Sequence, residues 1–337
     1  MTTSTTSTKD TADTSTPPGV GTAGGRFQMP SGTRLQEYAL LGVIVLLLVI
    51  GAILKPDTFP TADNFRAILT QASVVGVLAI GMTFVIATAG IDLSVGSVVA
   101  AAGVAGGLMV DDAGTWGFIL GALGFGLLLG TVNATAIAYG KVVPFVATLA
   151  MLAIARGLAL QMSDKSPISL LGQDGVRWFG TGEILGQPVS IWIFAAVVAL
   201  GWVVLNRTRY GRHVVAVGGN REAARIAGVP VRRTVLSVYV LAGGCAGLAA
   251  ILLSGRLASA SPVSGELLEL DAIGATVIGG TSLAGGRATI VGTLMGVVVF
   301  GLIFNLLTQL NLATEWQQIV KGVIILSAVL IQRPERI

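Results

Sequence analysis

The chain has 337 residues, 53% of them hydrophobic and 11% charged, with a mean hydropathy of +0.82. That composition excludes the two soluble domains that length alone would suggest, and indicates a chain that uses lipid as its solvent. The net charge of +4 and the clustering of the arginines in loops beside apolar stretches argue against a nucleic-acid-binding surface. A single cysteine, Cys245, and a single histidine, His213, exclude an intrachain disulfide and a Cys/His metal cluster.

Residues 1–37 are rich in Thr, Ser, Gly and Pro and carry too little apolar surface to fold. They are expected to be a disordered cytoplasmic extension without the apolar core of a signal peptide. Apolar stretches of about 20 residues, enough for a hydrocarbon core roughly 30 Å thick, then follow one another to the end. The predicted spans are 38–54, 68–89, 93–110, 117–138, 144–162, 189–205, 234–254, 270–283, 289–310 and 316–331. The eighth is short and glycine-rich, and 163–187 is a polar loop. Residues 38–332 are thus expected to form one transmembrane domain, with 333–337 a short tail.

Charge parity supports an even count. With ten spans, one face collects Lys9, Arg26, Arg34, Lys141, the arginines of 206–233, Arg287, Arg333 and Arg336. The other keeps Lys55, Arg66, Lys165, Arg177 and Arg256. The positive-inside rule then puts both termini in the cytoplasm. The fold class expected is all-α and polytopic, and ten divides into two halves of five, the geometry of an inverted repeat.

The polar island 206–233, NRTRYGRHVVAVGGNREAARIAGVPVRR, carries Arg207, Arg209, Arg212, Arg221, Arg225, Arg232 and Arg233. Asn220 can cap a short helix over 221–227 with Glu222 in its first turn, Gly228 can stop it, and Pro230 prevents it from resuming. Such a helix has the shape of a docking element. The competing reading is a plain connector whose arginines only obey topology.

Within the spans, glycines four apart (Gly103/Gly107, Gly117/Gly121, Gly126/Gly130, Gly243/Gly247, Gly292/Gly296) are read as helix-packing positions. Asp92, in the break GIDLSVG, is expected to cap the third span, with a ligand role as the competitor. Arg156 lies too deep for lipid and must face the bundle interior, water, or backbone carbonyls freed by a break. Thr83, Asn133, Thr148, Asn305 and Gln309 complete the candidate path for a small neutral solute. Interhelical hydrogen bonding would account for them equally well. The chain has no GxxxxGK[ST] loop and no intramembrane ladder of carboxylates, so it neither binds ATP in that manner nor resembles a proton pump.

GMTFVIATAGIDLSVGSVVAAAGVAGG (81–107), VPFVATLAMLAIARGLAL (143–160), GRHVVAVGGNREAARIAGVPVRR (211–233), ELDAIGATVIGGTSLAGGRATIVGT (269–293) and WQQIVKGVIILSAVL (316–330) together resemble the ribose/xylose/arabinose/galactoside-type ABC importer permeases, in order and at consistent spacing. Asn133-Ala134, Val143-Pro144-Phe145 and the long tail depart from the usual family pattern. The resemblance implies an inner-membrane, multi-pass subunit without catalytic residues or cofactor of its own, ATP being used by a partner ATPase on the cytoplasmic side. It also implies an extracytoplasmic solute-binding protein that delivers a monosaccharide or related polyol, and a homodimer or a heterodimer with a second permease. Gly219, Asn220, Arg221, Glu222, Ala223, Ala224, Arg225 and Gly228 would then form the ATPase-coupling segment. The alternative is an ATP-independent carrier or channel.

Overall fold

The computed structural model describes residue 2 and residues 32–331, with side chains over 38–330. The rest of the expected N-terminal tail and the segment 333–337 lie outside the described residues. The order is α1 (Gly32–Leu54), α2 (Ala62–Ala87), α3 (Val95–Ala138), α4 (Pro144–Met162), β1 (Ile168–Ser169), α5 (Asp174–Thr181), β2 (Glu183–Ile184), β3 (Gln187–Pro188), α6 (Val189–Arg207), α7 (Arg209–Gly219), α8 (Arg221–Ile226), α9 (Val231–Leu257), β4 (Ser259–Ala260), α10 (Leu268–Ile278), α11 (Ile290–Gln309) and α12 (Thr314–Ile331). The strands are two-residue pairings, β1 with β4 and β2 with β3, both antiparallel.

Helix α2 forms the axis of the bundle. Thr61 Oγ1 caps it by accepting from Asn64 N–H at 3.2 Å, and Asp63 sits favourably in its first turn. Almost every residue from Ala72 to Ala87 is buried, on all sides of the helix. Such a helix must be surrounded; α6, α9, α10 and α11 pack around it.

Among the described residues six helices are long and apolar enough to cross a membrane: α2, α3, α4, α6, α9 and α11. The 44 residues of α3 would rise about 66 Å if straight, twice the hydrocarbon thickness. The helix breaks at Ala113 (φ −128°) and Gly114 (φ +58°), and its arms fold back on each other, with Gly106 against Phe118 and Gly121 against Ala105. These arms are the expected third and fourth spans, with Asp111 and Asp112 the last residues before the break. The expected eighth span shrinks to α10, 11 residues and about 16 Å, half a bilayer. Gly279, which ends it, lies with its backbone against Gly292 of α11, so the glycine-rich run closes a tight junction instead of extending a helix. Helix α1 begins at Gly32, within the expected tail, though its apolar part starts at Tyr38. Helix α12 carries Glu315 and Lys321.

The paired glycines are packing positions. A Cβ on Gly130 would lie 2.8 Å from Gly243 Cα, and one on Gly126 would lie 2.9 Å from Gly247 Cα. The second arm of α3 and α9 therefore meet backbone to backbone, which any side chain would prevent. Gly243→Ala is expected to destabilise the chain by about 1–3 kcal/mol, because the new Cβ would meet Gly130 Cα at 2.7 Å. Gly157→Ala, where nothing lies within 4 Å, should leave the thermal midpoint in detergent unchanged or raised.

Candidate coupling and translocation sites

The island folds into two short helices. Thr208 Oγ1 accepts from Gly211 N–H at 3.2 Å and starts α7, which the polar composition of the island had concealed. Gly211, Val214 and Val217 are buried as an i, i+3, i+6 stripe, while Arg209 and Arg212 stay exposed. Asn220 serves both helices: its N–H donates to Ala216 O at 3.1 Å, and its Oδ1 accepts from Ala223 N–H at 2.9 Å.

Helix α8 spans 221–226, with Ala227 as its C-cap. Gly228 N–H donates to Arg225 O at 3.1 Å and Val229 N–H to Ala224 O at 2.9 Å, a Schellman closure that needs the left-handed φ of +80° at Gly228. Ala224 is 5% exposed and faces the bundle, whereas Arg221, Glu222, Ala223 and Arg225 face solvent. Arg225 Nε donates to Glu222 at 3.0 Å, and this hydrogen bond holds the Glu222 carboxyl below its usual value. The pair's small contribution is therefore complete above the ordinary carboxylate range and is lost only as pH falls through the depressed value. Ile226, missed in the sequence, offers 75% of its surface to solvent at the helix tip. An isoleucine inside a polar island was the available signal.

The island is set against the bundle through backbone. Gly218 lies against the Ala87 carbonyl and Gly286 N, and Gly286 N–H donates to Ala87 O at 3.1 Å. Gly219 touches Gly286, and Gly285 approaches Ala89 and Gly218 O. The end of α7, the end of α2 and the turn 282–288 thus meet through backbone, with no side chain larger than the Ala89 methyl at the contacts named.

From that junction the chain enters the turn before α3. Asp92 Oδ1 accepts from Ser94 N–H at 2.8 Å and Ser94 Oγ at 2.6 Å. The expected helix cap is corrected accordingly: Ser94 is the N-cap position, its side chain makes no cap bond, and Asp92 shapes the turn two residues earlier. Asn133 Nδ2 donates to Ser94 Oγ at 2.9 Å, and Thr148 Oγ1 reaches Ile91 O at 3.2 Å. Asp92, Asn133 and Thr148 therefore converge on one turn. Thr83 lies elsewhere, 2.8 Å from Thr293 Oγ1 between α2 and α11. Asn305 Nδ2 and Gln309 Nε2 both donate to Asn64 Oδ1, at 2.7 and 2.8 Å, where α11 meets the start of α2.

Arg156 takes the third of the roles open to it. Its Nη1 donates to Pro262 O at 2.6 Å and Ser264 O at 3.0 Å, carbonyls of the irregular segment between β4 and α10. Ala260 lies beside Gly107 and Gly265 beside Gly96, positions about 16 Å apart along α3, so this segment descends alongside that helix. Non-helical backbone is tolerated at such depth only when protein or water satisfies it. Around it stand charges the sequence reading passed over. Glu266 and Glu269 are within electrostatic reach of Arg156, and Asp271 of α10 pairs with Lys321 of α12 at 2.7 Å, both largely buried. A lysine in the middle of an apolar helix was the signal here.

Helix α4 buries one stripe, Ala147, Thr148, Met151, Ala155 and Ala159, and leaves Val146, Leu149, Ile154 and Leu158 uncovered. A cavity of about 390 Å³ between α2, α6, α7 and α9 is apolar apart from the Tyr210 and Ser237 hydroxyls, which suits no sugar. Among the described residues no group of three or more His, Cys, Asp or Glu could hold a metal ion.

Residues 64–329 match the family described as branched-chain amino acid transport system / permease component. The chain belongs to that permease family. It is accordingly a multi-pass protein of the inner membrane. Similar proteins include the ribose import permease protein RbsC of Escherichia coli K12, 40% identical over 319 residues covering 94% of this chain and 99% of that one. RbsC of Bacillus subtilis 168 is 44% identical, covering 87% and 91%, and the L-arabinose transport system permease protein AraH of Escherichia coli K12 is 35% identical, covering 90% and 92%. A solved inward-facing chain, described as of metal-chelate ABC transporter type, gives a TM-score of 0.47 at 14% identity over 90% of this chain and 97% of that one, too loose a likeness to place any helix.

Arg156→Gln is expected to lower stability by about 1–3 kcal/mol through the carbonyls it leaves unpaired, with Arg156→Lys intermediate. Thermal unfolding of the purified chain in detergent measures both.

Proposed function

We propose that this chain is the translocating subunit of an ABC importer for a monosaccharide or related polyol. Family membership and the names of its relatives support the class and the solute. The observation that carries the mechanism is α8: a helix capped at both ends, presenting Ile226 and the exposed Glu222–Arg225 pair, and joined through Gly218 to the end of α2. An apolar side chain rimmed by charge is the usual composition of a docking point.

In this reading a partner ATPase grips α8 from the cytoplasm, with Gly219, Asn220, Arg221, Glu222, Ala223, Ala224, Arg225 and Gly228 forming or supporting the contact. The chain crosses the membrane ten times with both termini inside, α3 counting twice and α10 being a half-crossing completed by the 258–267 segment; the two halves form an inverted repeat. Two permease subunits face each other through the open side of α4. The solute passes between them, over the charged neighbourhood of Arg156, Glu266 and Glu269, after delivery by a binding protein. Closure of the ATPases pushes α7–α8 against α2 and the turn at Asp92, and the pair of subunits exchanges outward for inward access as rigid bodies.

The test is sugar uptake into proteoliposomes holding the chain, its ATPase and its binding protein. Uptake that requires ATP hydrolysis supports the reading; accumulation by the chain alone overturns it in favour of a secondary carrier. Ile226→Asp is expected to weaken ATPase co-purification about thirtyfold, the loss typical of a central anchor residue. Glu222→Arg should lower uptake at unchanged membrane insertion. Wild-type uptake and co-purification in both variants would remove α8 from the mechanism.

A further inference from the structure

At the ends of α3 and α9 on the island face lies a cavity of about 330 Å³ whose polar lining is cationic. Lys141 from the α3–α4 turn, Arg221 from the start of α8 and Arg232 from the start of α9 line it. No acidic residue lines it, and among the described residues none of the three cations makes an ion pair. The remaining wall is hydrocarbon, including Ile137, Val143 and Val235. Three like charges around one small volume repel one another unless an anion sits between them. Lys141 is moreover held at φ +56°, a left-handed position where glycine is the usual residue, so a lysine stands there at a conformational cost.

We propose that this cavity binds the phosphate of an anionic phospholipid from the leaflet on the arginine-rich side. The three cations meet the headgroup and the apolar wall meets the first carbons of its chains. The location favours lipid over an acidic segment of a protein partner. The cavity is built from the ends of three membrane helices, α3, α4 and α9. Val142 and Val143, which line it, are exposed, and so is Tyr139 two residues before Lys141; aromatic residues of this kind sit at a bilayer boundary. Basic pockets between helix ends on the positive face are the usual geometry for anionic headgroups. Because Arg221 opens α8, a bound lipid would also fix the base of that helix.

The full chain, purified in neutral detergent, would be titrated with dioctanoyl phosphatidylglycerol, dioctanoyl phosphatidylcholine or inorganic phosphate while thermal unfolding is followed by tryptophan fluorescence. Phosphatidylglycerol should raise the midpoint; the other two should not. K141Q/R232Q should weaken the apparent affinity about thirtyfold, from roughly fivefold per surface cation. R209Q/R212Q, which removes the same charge from exposed positions outside the cavity, should retain it. The single variants K141Q and R232Q, each with an intermediate loss, cover the case of a double variant that fails to fold. Equal stabilisation by phosphatidylcholine, an equal response to free phosphate, or the same loss in R209Q/R212Q would overturn the proposal. So would unchanged lipid binding in K141Q/R232Q with loss of ATPase co-purification, which would assign the cavity to the protein partner.

Discussion

Inside a bilayer no water is available to satisfy a backbone carbonyl or amide, so every departure from helix must find its partner within the protein. This bundle departs from helix at several places, and the three described above each have one. The segment before α10 gives two carbonyls to Arg156, and the turn before α3 is closed by Asp92, Ser94, Asn133 and Thr148. The turn 282–288 hydrogen-bonds to the end of α2. The polar side chains of the spans are therefore concentrated where the helices stop. Most of the candidate path residues hold such stopping places together, and a solute path between subunits would be framed by that same scaffold.

The regular helices were legible because lipid enforces length and apolarity together. Helix α4 was bounded as expected at Pro144 and Met162, since proline is favoured in a first turn and the polar loop begins at once. The capped helix at Asn220 was equally plain, its start and stop both being local chemistry. Helix α7 was hidden because its apolar face is only three residues wide in a run dominated by arginine. The shortening of α10 was hidden for the opposite reason: the sequence stays apolar past Ile278, and it is the backbone packing of Gly279 on Gly292 that ends the helix.

Of the candidate residues, those defined by sequence neighbours were found and those defined by distant partners were not. Gly228 could be assigned its role from five adjacent residues. Lys321 could not, because its partner Asp271 is fifty positions away on a different helix. Arg156 sits between these cases: its depth announced that it needed acceptors, but only the folded chain identifies them as Pro262 and Ser264. Asp92 illustrates a third kind of miss, in which the residue was right and the bond was displaced by two positions.

The contact of Gly218 with Ala87 has a consequence for how motion travels. Where two elements touch through long side chains, a push is partly absorbed as those side chains change rotamer. At this junction main chain rests on main chain, with glycine on one side and the last carbonyls of α2 on the other. There is no soft layer to compress, so a displacement of the arginine-bearing hairpin reaches the axis of the bundle with little lost travel, in the manner of a keyed shaft.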